Sequence, residues 1–180
     1  NSYSFTDNYE YVRSYIEDAD LALCNVETTF RGGQPHGYPT FNAPDELAYA
    51  LADVGFDVGI TSNNHMMDTG FDGMQRTLEV LRNQGMTTVG SRYAGEDTWS
   101  LIEKNGLKIG LVAYTYESPM TASGAVSING NYVSKEAAEL INSFNTDEME
   151  EDLGKITADI KSAKEAGADI VVCYMHWGNE

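Results

Sequence analysis

An α/β fold, with helices flanking a layered sheet, is what this sequence predicts, and three observations carry the prediction. Short apolar runs of strand type, Leu21–Val26, Asp57–Thr61 and Asp169–Met175, alternate with segments whose apolar residues recur at helical spacing. Each of these runs leads into polar, chemistry-bearing side chains. The chain has 180 residues, 42% hydrophobic and 22% charged, enough for one buried core and short for two ordinary domains.

From the amino end, Thr6 or Asp7 can cap a helix running to about Glu17, with Tyr9, Val12 and Ile16 on one face. The strand Leu21–Val26 follows, and residues 31–39, rich in Gly and Pro, read as loop. Asn42-Ala43-Pro44 opens a helix with Leu47, Leu51 and Val54 inward and Gly55 as its stop. The strand Asp57–Thr61 leads into a polar run. A helix from about Phe71 to Asn83 leaves that run, carrying Phe71, Met74, Leu78 and Leu81 on one face, with Gly85 beyond its end. A short strand, Thr87–Gly90, comes next. The runs 101–103 and 107–114 meet at Lys104-Asn105-Gly106, and Asn-Gly suits the positive φ of a tight hairpin turn. Residues 118–131, rich in Ser, Gly and Ala, read as a mobile loop closed by a short helix near 134–141. From Asn145 an amphipathic helix places Met149, Leu153, Ile156, Ile160 and Ala163 inward, with Glu148 positioned for a capping box and Gly167 as its stop. It feeds the last strand, Asp169–Met175.

Charge narrows the partners. Lys and Arg total 11 against 28 Asp and Glu, a net charge of −17, which excludes nucleic acid and anionic membrane surfaces as unaided partners and makes divalent cations a natural counter-charge. Cys24 and Cys173 each lie in an apolar run and read as small core residues, which neither make a disulfide scaffold nor fix the redox compartment. No apolar stretch approaches the ~20 residues needed to cross a bilayer. The chain opens on Asn1 within a polar segment and without an initiator Met, which reads as a processed or truncated piece that has lost a targeting segment.

Three polar clusters share one structural address at the ends of apolar strands: Asn25-Val26-Glu27, then Asn63-Asn64-His65 with Asp68, then His176 to Glu180. In a parallel sheet they would converge on one edge, where open α/β sheets bind ligands. Imidazole nitrogen with carboxylate and amide oxygens suits manganese, zinc, iron or cobalt, and the absence of clustered thiolates argues against a structural zinc site. Each residue also has a plainer role open to it. Glu27 could support the Thr28-Thr29 turn, Asp68 could cap the following helix, Asn63 and Asn64 could be turn residues, and Trp177 could be packing only. His36, in a Gly/Pro loop, reads as a surface residue. His65 and His176 together, with carboxylates nearby, point to a hydrolytic metal centre.

Taken in order, Asn25-Val26-Glu27, the run Ser62-Asn63-Asn64-His65-Met66-Met67-Asp68-Thr69-Gly70 and His176-Trp177-Gly178-Asn179-Glu180 resemble the CapA/PgsA poly-γ-glutamate capsule-synthesis family. Gly55-Phe56-Asp57 ahead of the second motif fits the same pattern. The family is similar in fold to the calcineurin-like metallophosphoesterases, so the resemblance implies a layered α/β structure carrying a two-metal site. It implies that Asn64 and His176 are metal ligands, that Glu27 stands where the phosphoesterases usually have a bridging Asp, and that His65 protonates the leaving group with Asp68 behind it. Asn25, Asn63, Trp177 and Glu180 would line the substrate site. The family pattern also has a Gly-Asp strand before Phe5 and a histidine-bearing segment beyond Glu180. By that standard residues 1–180 are a partial capsule-synthesis domain, with some ligands outside it.

The resemblance implies metal-dependent hydrolysis of a phosphoester or γ-glutamyl bond, at the extracytoplasmic cell surface, alongside capsule-synthesis membrane proteins and behind a membrane anchor outside this stretch. The alternative is a non-catalytic subunit that binds polymer or metal in the same cleft. An anionic polymer and a chain of charge −17 would then need metal bridging or a local basic patch.

Overall fold

Side chains that alternate between the two faces of each strand set the architecture. The computed structural model describes residues 3–118 and 125–178. A first sheet is parallel, in the order β1 (Leu23–Asn25), β2 (Val58–Ile60), β3 (Thr87–Val89), with Leu23 opposite Val58 and Val58 opposite Thr87. Successive side chains of a strand point to opposite faces. Cys24 therefore turns to one side, where it packs with helix α2 (Glu46–Asp53) and with Val80 and Leu81 of α3 (Gly70–Asn83). Val58, Ile60 and Val89 turn to the other.

That other face meets a second sheet. Strand β4 (Trp99–Lys104) and β5 (Leu107–Tyr116) form the expected antiparallel hairpin, with φ of 53° at Asn105 and 78° at Gly106. On its opposite edge β5 pairs in parallel with the last strand of the chain, Ile170–His176, Ile109 facing Ile170 and Thr115 facing His176. Leu111 and Ala113 of β5 pack on Val58, Ile60 and Val89 of the first sheet. Val112 and Tyr114 turn outward onto the long helix Met149–Glu165, which supplies Ile156 and Ile160. The layers thus run helix, sheet, sheet, helix. Burying each such aliphatic side chain contributes about 1.5–3 kcal/mol.

The remaining elements close one end. Strands β6 (Ser127–Ile128) and β7 (Asn131–Tyr132) make a small hairpin, α4 (Lys135–Ala138) follows it, and β8 (Ser143–Phe144) pairs with Thr115 and Tyr116. In chain order the long helix is α5 and the last strand β9. Met66, Met67, Met74 and Leu78 pack there with Ile128, Val133 and Ala137. Gly90 lets β3 pass close to the end of β2: its φ is 110°, and a Cβ there would lie 2.5 Å from the Cβ of Ser62.

Several expectations are corrected. The strand tips that meet belong to two stacked sheets, not to one parallel sheet, because the hairpin at Asn105-Gly106 founds a second sheet that β9 joins. The first helix breaks into a 3-10 turn, Thr6–Tyr9, and a short α1, Arg13–Glu17, with no buried residue in either. Asp152, not Glu148, accepts the N–H of Asn145, at 2.7 Å, while Asn145 Oδ1 accepts from Asp147. Cys173 is exposed rather than a core residue. The expected loop 118–131 holds the β6–β7 hairpin, and residues 119–124 of it lie outside the described residues.

Candidate functional site

Beyond Ile60 the chain leaves β2 under tight control. Thr61 donates its N–H to Val89 at 2.9 Å and shares a hydrogen bond with Ser91 Oγ at 2.8 Å, and Ser62 Oγ donates to the carbonyl of Asn142 at 3.0 Å. Both side chains are buried, so these bonds replace water and fix the direction in which residues 63–68 emerge.

Asn63 then uses both ends of its amide. Nδ2 donates to Asn25 Oδ1 at 3.1 Å and to the carbonyl of Val26 at 2.8 Å, and Oδ1 accepts the N–H of His65 at 3.1 Å. Asn25 Nδ2 in turn donates to Glu27 Oε2 at 2.7 Å. A relay of amides therefore joins the tips of β1 and β2, and Asn suits both positions because it donates through Nδ2 while accepting through Oδ1. Asn63 and Asn25 act here as a scaffold, and Glu27, exposed, stands at the relay's outer end.

His65 and Asp68 form a dyad. The imidazole Nδ1 lies 2.7 Å from Asp68 Oδ2, and the carboxylate side chain is fully buried. Oδ2 also accepts the N–H of Phe41 at 2.6 Å, and the Phe41 ring meets the imidazole edge-on at 4.4 Å. Asp68 Oδ1 is buried without a partner among the described residues. The dyad sets the orientation of His65: Nδ1 faces the carboxylate, which leaves Nε2 as the nitrogen available for chemistry.

Across the sheet interface comes His176, the last residue of β9. Its Nε2 is 3.1 Å from Asn64 Oδ1. Tyr116 stacks beside the ring at 6.4 Å between centroids, and the Tyr174 hydroxyl is 3.5 Å from Nδ1. Burial, and then the negative charge of Glu27, raise the pKa of Tyr174 above its usual value. Glu27 is thus electrostatically coupled to the β9 side of the cluster.

Of the residues singled out in the sequence, Asn25, Glu27, Asn63, Asn64, His65, Asp68 and His176 are joined by these contacts or by adjacency in the chain. Trp177 turns away from His176 and packs edge-on against Phe144 at 6.1 Å, with 67% of its surface exposed. Glu180 lies outside the described residues. His36 is an exposed loop residue whose Nδ1 is 2.6 Å from the carbonyl of Thr40. Phe41, Tyr116 and Tyr174 escaped the sequence reading. Tyr174 is two residues from His176 and on its face, a signal that strand periodicity carries, whereas Phe41 arrives from a loop with no local signal.

The donors fit a divalent ion in part. Two ligands at about 2.1 Å from one ion and at right angles stand about 3 Å apart, the separation between Asn64 Oδ1 and His176 Nε2. Among the described residues, however, no group of three or more His, Cys, Asp and Glu is placed to hold a metal. Asn64 and His176 would supply two adjacent positions, and Glu27 is the carboxylate of the relay.

Residues 1–180 match the family model described as bacterial capsule synthesis protein PGA_cap. The chain belongs to the PGA_cap family. Among curated members, it is 24% identical to the capsule biosynthesis protein CapA of Bacillus anthracis over 188 residues, covering 100% of this chain and 42% of that protein. It is 30% identical to the PGA biosynthesis protein CapA of Bacillus subtilis (strain 168) over 138 residues, covering 75% of this chain and 32% of that protein. This PGA_cap chain thus spans less than half the length of both relatives.

Proposed function

We propose that this PGA_cap chain contributes the core of a hydrolytic site in capsule synthesis, acting on a phosphoester or γ-glutamyl substrate. The observation that carries the reading is the buried His65–Asp68 dyad, held next to the Asn64–His176 contact where two sheets meet. Asn64 and His176 would hold a divalent ion, manganese, zinc or iron by donor chemistry, and Glu27 would face it. Such an ion polarises the substrate oxyanion and acidifies water. His65 supplies the proton: as water adds to the phosphorus or carbonyl centre and the bond to the leaving group breaks, Nε2–H protonates the departing atom. Asp68 holds the ring in the orientation this demands and stabilises its charge. The amide relay from Asn63 to Glu27 keeps the strand tips in register with one another.

The test is turnover of p-nitrophenyl phosphate and of a γ-glutamyl peptide by the full-length protein with manganese present. His65→Ala is expected to lose about 10²–10⁴-fold in rate. Unchanged turnover would remove the catalytic role.

A second reading is favoured by the short donor set. With two adjacent donors and no group of three titratable ligands among the described residues, the same cleft would serve a non-catalytic subunit that holds an anionic polymer through a bridging metal. Metal-dependent polymer binding without product distinguishes it. Either reading puts the protein at the cell envelope with capsule-synthesis membrane proteins as partners. No helix among the described residues is long and apolar enough to cross a membrane, so an anchor would come from elsewhere.

A further inference from the structure

Helix α2 carries Glu46, Tyr49, Ala50 and Asp53 at positions i, i+3, i+4 and i+7, so the four share one face and successive Cβ atoms stand about 5–6 Å apart. Residues 3–6 lie along that face, and a cleft of about 450 Å³ is lined by both runs. The volume lies within the range of small-molecule sites. Ala50, buried and the smallest residue of the stripe, leaves it depth, while Tyr3 and Tyr49 remain 43% and 48% exposed. None of the lining residues belongs to the strand-end cluster around His65.

The charges around α2 are unequally matched. Asp53 holds Arg13 at 2.8 Å, and Arg13 also bonds Glu17 at 3.0 Å. Asp45, outside the stripe, holds Arg76 through two bonds of 2.8 and 2.7 Å. Both guanidinium groups are thus neutralised where they stand. Glu46 differs: among the described residues its carboxylate makes neither an ion pair nor a hydrogen bond. The aromatic rings are also unengaged. Among the described residues the cation–π contact is that of Arg82 on Tyr93, so the faces of Tyr3 and Tyr49 hold no cation. The cleft therefore presents one unmatched carboxylate between two half-exposed tyrosine rings.

An anion suits this arrangement poorly, because Glu46 and Asp53 would repel it and no unpaired cation lines the cleft to hold it. A hard divalent ion fits no better. It needs several oxygen ligands at once, and Glu46 and Asp53 stand about 10 Å apart along the helix, with Asp53 already on Arg13. An organic cation matches what is present, since the face of an aromatic ring is the negative end of its quadrupole. We propose that this cleft binds a small organic ammonium ion, its methyl groups on the rings of Tyr3 and Tyr49 and its charge toward Glu46. The i, i+3 spacing puts the Glu46 carboxylate and the Tyr49 ring on one side of α2, within reach of a single cation. Both groups are partly open to water, so each contributes modestly and the affinity is weak.

The test is equilibrium dialysis of the full-length protein against choline at low ionic strength, beside dimethylbutanol, the uncharged carbon isostere of choline. Choline is expected to saturate a single site, with the isostere at least about fivefold weaker. Tyr49→Leu leaves the net charge unchanged, so it separates this cleft from the general attraction of cations to an acidic chain. It should weaken choline at least about threefold, whereas Tyr49→Phe, which keeps a ring, should bind within about twofold of the parent. Glu46→Gln should weaken choline about threefold. Choline that does not saturate, or an isostere that binds as tightly, overturns the proposal. So does a Tyr49→Leu protein that melts normally and binds like the parent, or a Tyr49→Phe protein as weak as Tyr49→Leu. Should Tyr49→Leu fail to fold, Tyr3→Leu takes its place, with the same loss expected and unchanged binding again decisive against the site.

Discussion

Asn64 Oδ1 and His176 Nε2 are 3.1 Å apart, although 112 residues separate them and they stand at the ends of strands from different sheets. The contact depends on three registers at once. β2 must end at Ile60, β9 must pair with β5 so that His176 lies opposite Thr115, and the two sheets must stack through Leu111, Ala113, Val58 and Ile60. A one-residue slip of β9 would turn His176 to the α5 side and bring Met175 or Trp177 to the site.

If both atoms take one ion, replacing the neutral amide oxygen by a carboxylate should strengthen the site. Asn64→Asp is expected to raise manganese affinity in a calorimetric titration, and His176→Ala to lower it by at least about tenfold. Equal affinity in all three proteins would remove Asn64 and His176 from the coordination sphere.

Asp68 should matter for stability as well as for chemistry. Asp68→Ala would leave the N–H of Phe41 and the Nδ1 side of His65 buried without their acceptor, a loss of about 2–4 kcal/mol in urea denaturation. Asp68→Asn keeps one acceptor oxygen and should cost less stability while still impairing proton transfer. A role confined to capping would instead show normal turnover in Asp68→Asn.

Much of this was legible in the sequence, and the failures have physical causes. The helices α2, α3 and α5 and the Asn105-Gly106 hairpin follow from periodicity and turn chemistry, which act locally. Asn129-Gly130 carries the same turn signal, with φ of 50° and 72°, yet β6 and β7 are two residues each and too short to show alternation. Val12, read on one apolar face with Tyr9 and Ile16, is exposed, and no residue of the short α1 is buried. The polar clusters were visible as strand-end motifs. That they meet across a sheet interface was not, since stacking of β5 on β2 is a long-range event with no sequence period of its own. The same holds for Phe41, whose approach to His65 depends on how the loop of residues 31–41 folds back.

Gly90 offers a test of how tightly the β2 end is held. A Cβ would stand 2.5 Å from the Ser62 Cβ and 2.6 Å from its backbone nitrogen, and φ is 110°. Neither backbone can yield without breaking the Thr61–Val89 and Asn142–Gly90 hydrogen bonds. Gly90→Ala is expected to destabilise by about 3 kcal/mol or more in urea denaturation, whereas Gly85→Ala, open in space but strained at φ of 82°, should cost about 1–2 kcal/mol.

The two thiols should behave differently. Cys24 packs behind β1 against α2 and α3, with Sγ 3.6 Å from the carbonyl of Val58, and burial pushes its pKa from 9.0 up to about 12. Cys173, on the outer strand β9, is exposed, and burial of its sulfur followed by the charge of Asp159 raises its pKa by less. The thiolate is the reactive form, so iodoacetamide at pH 8.5 should label Cys173 first and reach Cys24 only through unfolding. The linkage has a definite sign. A thiol whose pKa is raised in the folded state binds its proton more tightly there than in the unfolded chain. Its contribution is whole below pH ~9 and is lost as pH climbs toward about 12. Cys24→Ala should therefore be less stable at pH 7, because it leaves a small cavity behind β1, and should lose less further stability between pH 9 and 11 than the parent chain does. Parallel stability curves for the two proteins across that interval would show that the Cys24 thiol does not keep its proton in the folded state as the buried geometry requires.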